Sequence, residues 1–291
     1  MSGYPSSPVY VYDPARPAAA AGPDGKRIDE KDARSNPRLL ACLTESWSHK
    51  MWGGAAGADG CLFFCGEVAR KGDGGALGWW DTKAEKAGAV AWETFAGYKT
   101  LYAASAMRGE KIVLNSHVTI DNITGKTPDT ARMFLFDVNE KKIVAQVEPI
   151  EDAKMLGPLV ETEPGRILSA ACLGGYREDE AECVLFAFDV EKRSVLFRKK
   201  LPVPLAAWNG GMRGGQEFEL GPDGFVWTYL GEVRSPETPT LVRIDPRDGA
   251  IYVVGRVQRR GPIAFVGKDL YRGCEHKAGE LGLRRLAKVV P

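Results

Sequence analysis

Five times in this chain an apolar, β-rich run ends in aspartate and is followed by a polar turn. The clearest copies are Met133-Phe134-Leu135-Phe136-Asp137, Val184-Leu185-Phe186-Ala187-Phe188-Asp189 and Leu241-Val242-Arg243-Ile244-Asp245. Weaker copies are Val9-Tyr10-Val11-Tyr12-Asp13 and Leu77-Gly78-Trp79-Trp80-Asp81. A fixed-period signal outranks every other local signal, because a repeated unit cannot bury its apolar face alone and must stack on its neighbours. The steps between the aspartates range from 52 to 68 residues.

Another β-rich run follows each strong copy: Lys142 to Val147, Ser194 to Phe197 and Ala250 to Val254. A strand pair precedes it, joined by glycine turns such as Gly57-Ala58-Asp59-Gly60 and Gly221-Pro222-Asp223-Gly224. Four strands per unit at this period predict an all-β chain, a β-propeller of four-stranded antiparallel blades with five to six blade units visible. Lettering the strands a to d outward from the axis places four central blades at 47–96, 97–151, 152–203 and 204–258. The stretch 15–38 reads as a long polar loop inserted in a single domain, 1–291. Two readings fit the partial ends. They combine into one blade and close a five-bladed ring, or the chain is the C-terminal part of a longer, seven-bladed propeller. Little or no helix is expected, since no window has helical periodicity backed by caps.

Composition excludes several classes of function. Lys and Arg total 39 against 38 Asp and Glu, a net charge of +1, so no basic footprint for nucleic acid exists. No run approaches the ~18 apolar residues of a membrane span. Residues 1–23 lack the basic region and apolar run of a signal peptide, and the location stays open, including export of a longer parent. The six cysteines form no Cys-x-x-Cys and read as small buried hydrophobes. The expected state is a monomer.

The runs Gly74-Gly75-Ala76-Leu77-Gly78-Trp79-Trp80-Asp81 and Gly221-Pro222-Asp223-Gly224-Phe225-Val226-Trp227 resemble bacterial propellers of the kelch, quinoprotein-like and lactonase-like superfamilies. The terminal Leu283-Arg284-Arg285-Leu286-Ala287 is similar to the closing strand of such proteins. The resemblance implies architecture and carries no catalytic set, because one propeller hosts many functions.

The repeated aspartates are expected to accept turn N–H groups from their own backbone. The alternative is a carboxylate ring around a cation. The three histidines, His49, His117 and His276, fall on b-to-c or d-to-a connections, which share one rim. Three imidazoles suit one divalent metal with an open position; three unrelated polar loop residues are the alternative. The same rim carries Gly66-Glu67-Val68-Ala69-Arg70 and Gly231-Glu232-Val233-Arg234, with Asp121, Tyr176 and Arg177 in comparable loops. Glu67, Arg70, Glu232 and Arg234 are therefore candidate ligand-binding residues, since arginine forks a carboxylate; ion pairs at strand ends are the alternative. Trp208-Asn209-Gly210-Gly211-Met212-Arg213-Gly214-Gly215-Gln216 is glycine-rich without Lys-Ser/Thr or a following helix, which disfavours a phosphate loop. As an a strand lining the axis it is expected to direct Arg213 and Gln216 into the channel; tight packing at the crowded axis is the alternative.

Two functions follow as expectations. One is a propeller that binds a small molecule, glycan, sugar acid or peptide at the rim. The other is a metal-dependent propeller enzyme, a lyase, lactonase or glycoside-active protein, using His49, His117 and His276.

Overall fold

A computed structural model describes residues 8–17, 29–42, 50–67, 74–119, 121, 124–174, 182–202, 218–230, 240–257, 262–275 and 281–286. Within them the chain forms twenty-one strands, two short 3-10 turns and no α-helix. The strands β1 (Pro8–Val11) and β2 (Arg38–Cys42) pair antiparallel. Three full blades follow: β3 (Lys50–Ala56), β4 (Cys61–Glu67), β5 (Gly75–Asp81) and β6 (Lys86–Ala89); β7 (Tyr98–Ala106), β8 (Lys111–Val118), β9 (Met133–Asp137) and β10 (Lys142–Val147); β11 (Met155–Glu163), β12 (Arg166–Cys172), β13 (Cys183–Asp189) and β14 (Ser194–Lys200). The fourth contains β15 (Glu219–Leu220), β16 (Val226–Leu230), β17 (Thr240–Ile244) and β18 (Ile251–Arg256). A three-stranded sheet, β19 (Ile263–Val266), β20 (Asp269–Glu275) and β21 (Leu281–Leu286), comes last. Every pairing is antiparallel between sequence neighbours, save one contact of β8 with β11, Met155 opposite His117. This is the β-propeller fold of four-stranded blades that the repeat predicts.

Side-chain alternation explains why these strands read as unbroken apolar runs. Successive residues of a strand point to opposite faces, and here both faces are covered. On β8, Ile112 and Leu114 pack with Phe63, Leu77 and Phe136 between the first two blades, while Val113 packs with Leu156 and Phe186 between the second and third. On β13, Phe186 and Phe188 face the second blade, and Leu185 and Ala187 meet Val226 and Val242 of the fourth. On β16, Trp227 and Tyr229 turn to Ile263 and Leu270 of the last sheet. Each of these faces on β8, β13 and β16 thus has a neighbour to cover it, whereas Leu62 on β4 of the first blade is 40% exposed.

Polar staples cross the same seams. The Thr100 hydroxyl accepts from Ala76 N–H at 3.0 Å and lies 2.7 Å from the Ala76 carbonyl and 3.0 Å from that of Gly66. Asn115 donates to the Gly157 carbonyl at 2.8 Å and to the Ser169 hydroxyl at 2.7 Å. Glu161 accepts from the amides of Met107 at 2.6 Å and Gly165 at 2.7 Å, tying two hairpin turns of adjacent blades.

The insertion expected at 15–38 ends one residue early. Arg38 already belongs to β2, which closes a hairpin with β1. Asn36 organises the described ends of that connection: its side-chain amide donates to the carbonyls of Asp13 and Arg16, each at 2.9 Å, and its oxygen accepts from Asp13 N–H.

Candidate functional site

Up-and-down blades give the molecule two faces. The a–b and c–d turns share one; the b–c and d–a connections share the other, called the mouth here.

On the turn face the acidic groups are consumed by local structure. Asp13, Asp81, Asp137, Asp189 and Asp245 each accept a backbone N–H two or three residues on, from Ala15, Lys83 and Ala84, Asn139 and Glu140, Lys192, and Arg247 respectively. Asp59 and Asp223 do the same in the a–b turns, toward Cys61 and Phe225. The turn-acceptor reading of the repeat therefore holds. Lysine and arginine also pair with several of these carboxylates: Lys111 with Asp137, Lys141 with Asp59, and Arg247 forks Asp245 at 2.6 and 3.0 Å. The guanidinium of Arg247 is the main reason the Asp245 carboxyl is lowered to about 2. Lys141 also sits over the rings of Phe63 at 4.9 Å and Trp79 at 5.5 Å, a cation–π seat between the first two blades.

A hollow of about 600 Å³ opens on this face between the turns of the second and third blades, lined by Arg108, Glu110, Glu163, Arg166, Asp189 and Lys192 among others. Its charges are mostly satisfied by the turns themselves. Arg166 donates to the carbonyls of Pro246 and Arg247, each at 3.1 Å, and Lys192 lies 3.3 Å from Asp189. The hollow is a gap between hairpins.

The mouth face differs. Glu67, expected in a loop, is the last residue of β4 and is buried, with 9% exposure. His117 does not follow its strand; it lies inside β8, 7% exposed. The polar run Asn115-Ser116-His117 looks like a strand end in sequence, but its groups find partners across the sheet. Asn115 bonds the third blade as above, and Ser116 donates to the Arg132 carbonyl at 2.8 Å. Lys99 of β7, which sequence reasoning missed, joins the two predicted residues. Its ammonium is 3.6 Å from Glu67, and in the β7–β8 register it stands directly opposite His117, within side-chain reach. The Glu67 and Lys99 side chains are only 12% and 13% exposed. A single lysine among the 39 basic residues carries no sequence signal of its own.

Asp121 is placed in a local turn, accepting from the Thr124 hydroxyl at 2.6 Å. His49, His276, Arg70, Arg213, Gln216, Glu232, Arg234, Tyr176 and Arg177 lie outside the described residues. Among the described residues no group of three His, Cys, Asp or Glu is arranged to hold a metal ion, and no helix is long and apolar enough to cross a membrane.

No protein-family model matches the sequence, and no curated protein matches it. Solved structures do resemble the fold. Hydrazine synthase from Kuenenia stuttgartiensis superposes with a TM-score of 0.50 at 13% identity, over 77% of this chain and 55% of that one. TolB from Acinetobacter baumannii gives 0.50 at 12% identity, over 95% and 60%. A protein from Lactobacillus plantarum gives 0.50 at 14% identity, over 86% and 73%. The chain spans little more than half the length of the first two. At such identities the likeness shows the propeller fold alone.

Proposed function

We propose that this protein is a binding propeller that takes a sugar, sugar acid or peptide at its mouth. The observation that supports this is the cluster of Glu67, Lys99 and His117, two charges and an imidazole held nearly buried at the mouth ends of β4, β7 and β8. Burying charge is expensive, and a nearly buried pair is spent on recognition or on register. Loops from every blade converge on a propeller's mouth, so Arg70, Arg213, Gln216, Glu232 and Arg234 are assigned to the same rim as further polar partners. A carboxylate-bearing ligand suits a rim of lysine and arginine.

The experiment is calorimetric titration with galacturonate and with an acidic tripeptide as probes, on the wild-type chain and on Lys99→Gln and His117→Gln. Binding of at least one probe is expected, weakened tenfold or more by each variant, about 1.4 kcal/mol, with little change in melting temperature. Binding of neither probe, or binding lost on Arg108→Ala of the turn-face hollow and kept in the mouth variants, overturns the reading. The metal-dependent alternative is read from the same samples. A zinc titration that binds one ion in wild type and none in His117→Gln favours it.

A further inference from the structure

Cys172 closes β12 and Cys183 opens β13, and the two stand directly opposite in the register of these antiparallel strands. One step further, the Leu173 amide donates to the Glu182 carbonyl at 3.0 Å, which makes that opposed pair a hydrogen-bonded one. Such pairs alternate along an antiparallel ladder, so Cys172 and Cys183 form a non-hydrogen-bonded pair. There the Cα atoms come to about 4.5 Å and the side chains approach most closely. The backbone agrees. The Cys172 carbonyl accepts from Lys154 and the Cys183 carbonyl from Leu201, each at 2.8 Å and each on the side away from the other cysteine. Both thiols enter one apolar cluster, with Leu185, Leu201 and Val226.

A disulfide bridges Cα atoms roughly 4.4–6.8 Å apart, so this pair stands at bonding range without backbone movement. Cys61 and Cys65 share one strand, about 13 Å apart at ~3.3 Å per residue, and Cys42 faces Pro8.

We propose that Cys172 and Cys183 are a modification site: a thiol pair that closes to a cross-strand disulfide by exchange with a low-molecular-weight disulfide such as oxidised glutathione. In the first step one thiolate attacks the glutathione disulfide; its S–S bond breaks, a mixed disulfide forms, and the leaving thiolate takes up a proton. In the second, the other cysteine, as thiolate, attacks the protein sulfur of the mixed disulfide and releases the second glutathione thiol. The protein loses two hydrogens, and one glutathione disulfide is reduced to two thiols. Both thiols are nearly buried, at 2% and 3% exposure, but they lie one hydrogen-bonded pair from the end of the β12–β13 ladder, where fraying reaches them without opening the blade. The bridge pins two strands at the root of a b–c connection, on the mouth face.

The test is peptide mapping of the native full chain after incubation with oxidised glutathione at pH 8, followed by acid quench, denaturation and alkylation without reductant. The expected result is a peptide linking Cys172 to Cys183, a melting temperature raised by a few degrees because a loop of the unfolded chain is closed, and reversal of both by dithiothreitol. Cys183→Ala abolishes the linked peptide and Cys42→Ala leaves it. The half-exposed Cys42 serves as the internal clock. If Cys42 is fully glutathionylated in wild type while Cys172 and Cys183 are recovered as alkylated thiols, or as separate mixed disulfides, the proposal is wrong. The wild-type map decides this whether or not the variants fold.

Discussion

Asp245 shows how the repeat works at the scale of one residue. One carboxylate oxygen accepts the Arg247 N–H at 2.9 Å and both meet the Arg247 guanidinium, with the aspartate side chain only 8% exposed. Replacing Asp245 or Asp189 with alanine removes the acceptor of a tight turn. The expected cost is about 0.5–2 kcal/mol, by analogy with a lost helix cap, measured by urea denaturation, with ligand affinity unchanged. The pH dependence follows from the same contact. The Asp245 carboxyl is lowered from 3.8 to about 2, chiefly by the Arg247 side chain. Its stabilisation is complete above the unfolded value and is lost as pH falls through the folded one. The stability difference between wild type and Arg247→Ala should therefore be full at pH 6 and shrink as pH falls from about 4 toward 2; a difference that grows on acidification contradicts the assignment. These aspartates were legible in the sequence because a turn acceptor answers a requirement two residues away. His117 was legible only as a residue type. How far β8 continues is decided by groups on β7, on the β8–β9 connection and on the third blade, which no local window contains.

At the scale of elements, the seams between blades set what each strand tolerates. Gly75 opens β5 against β7; a Cβ there would stand 2.9 Å from both the Thr100 nitrogen and the Tyr98 carbonyl oxygen. Those are backbone atoms and cannot swing aside. Gly75→Ala should cost about 1–3 kcal/mol as an overpacked seam. Thr100→Val keeps the shape but strands the Ala76 N–H and leaves the Gly66 carbonyl without its staple, at a cost of about 1–3 kcal/mol. The two residues touch, so the double variant should cost less than the sum of the singles; additive costs would show that they do not share one seam. The b and c strands were readable as apolar runs because both of their faces are buried. β2 was not: Arg38-Leu39-Leu40-Ala41-Cys42 is partly exposed along its whole length and follows a polar insertion. The Asn36 side chain ties the start of this hairpin's connection, at Asp13, to its end.

At the scale of the whole molecule, stacked blades divide the chemistry between two faces. The turn face uses its carboxylates to hold turns, and its lysines and arginines neutralise them. The mouth face brings Glu67, Lys99 and His117 close together. The repeat predicts this division, because it fixes which connections share a rim. Which side chains meet there depends on strand ends and registers that emerge only when blades pack. Peptide-resolved hydrogen–deuterium exchange of the full chain, with and without a saturating acidic tripeptide, tests the claim that the mouth is the working face. Protection should appear in peptides covering 64–67, 98–102 and 114–118 and be absent from the turns at 57–60, 107–110 and 163–166. Protection of those turns with the mouth peptides unchanged would contradict it.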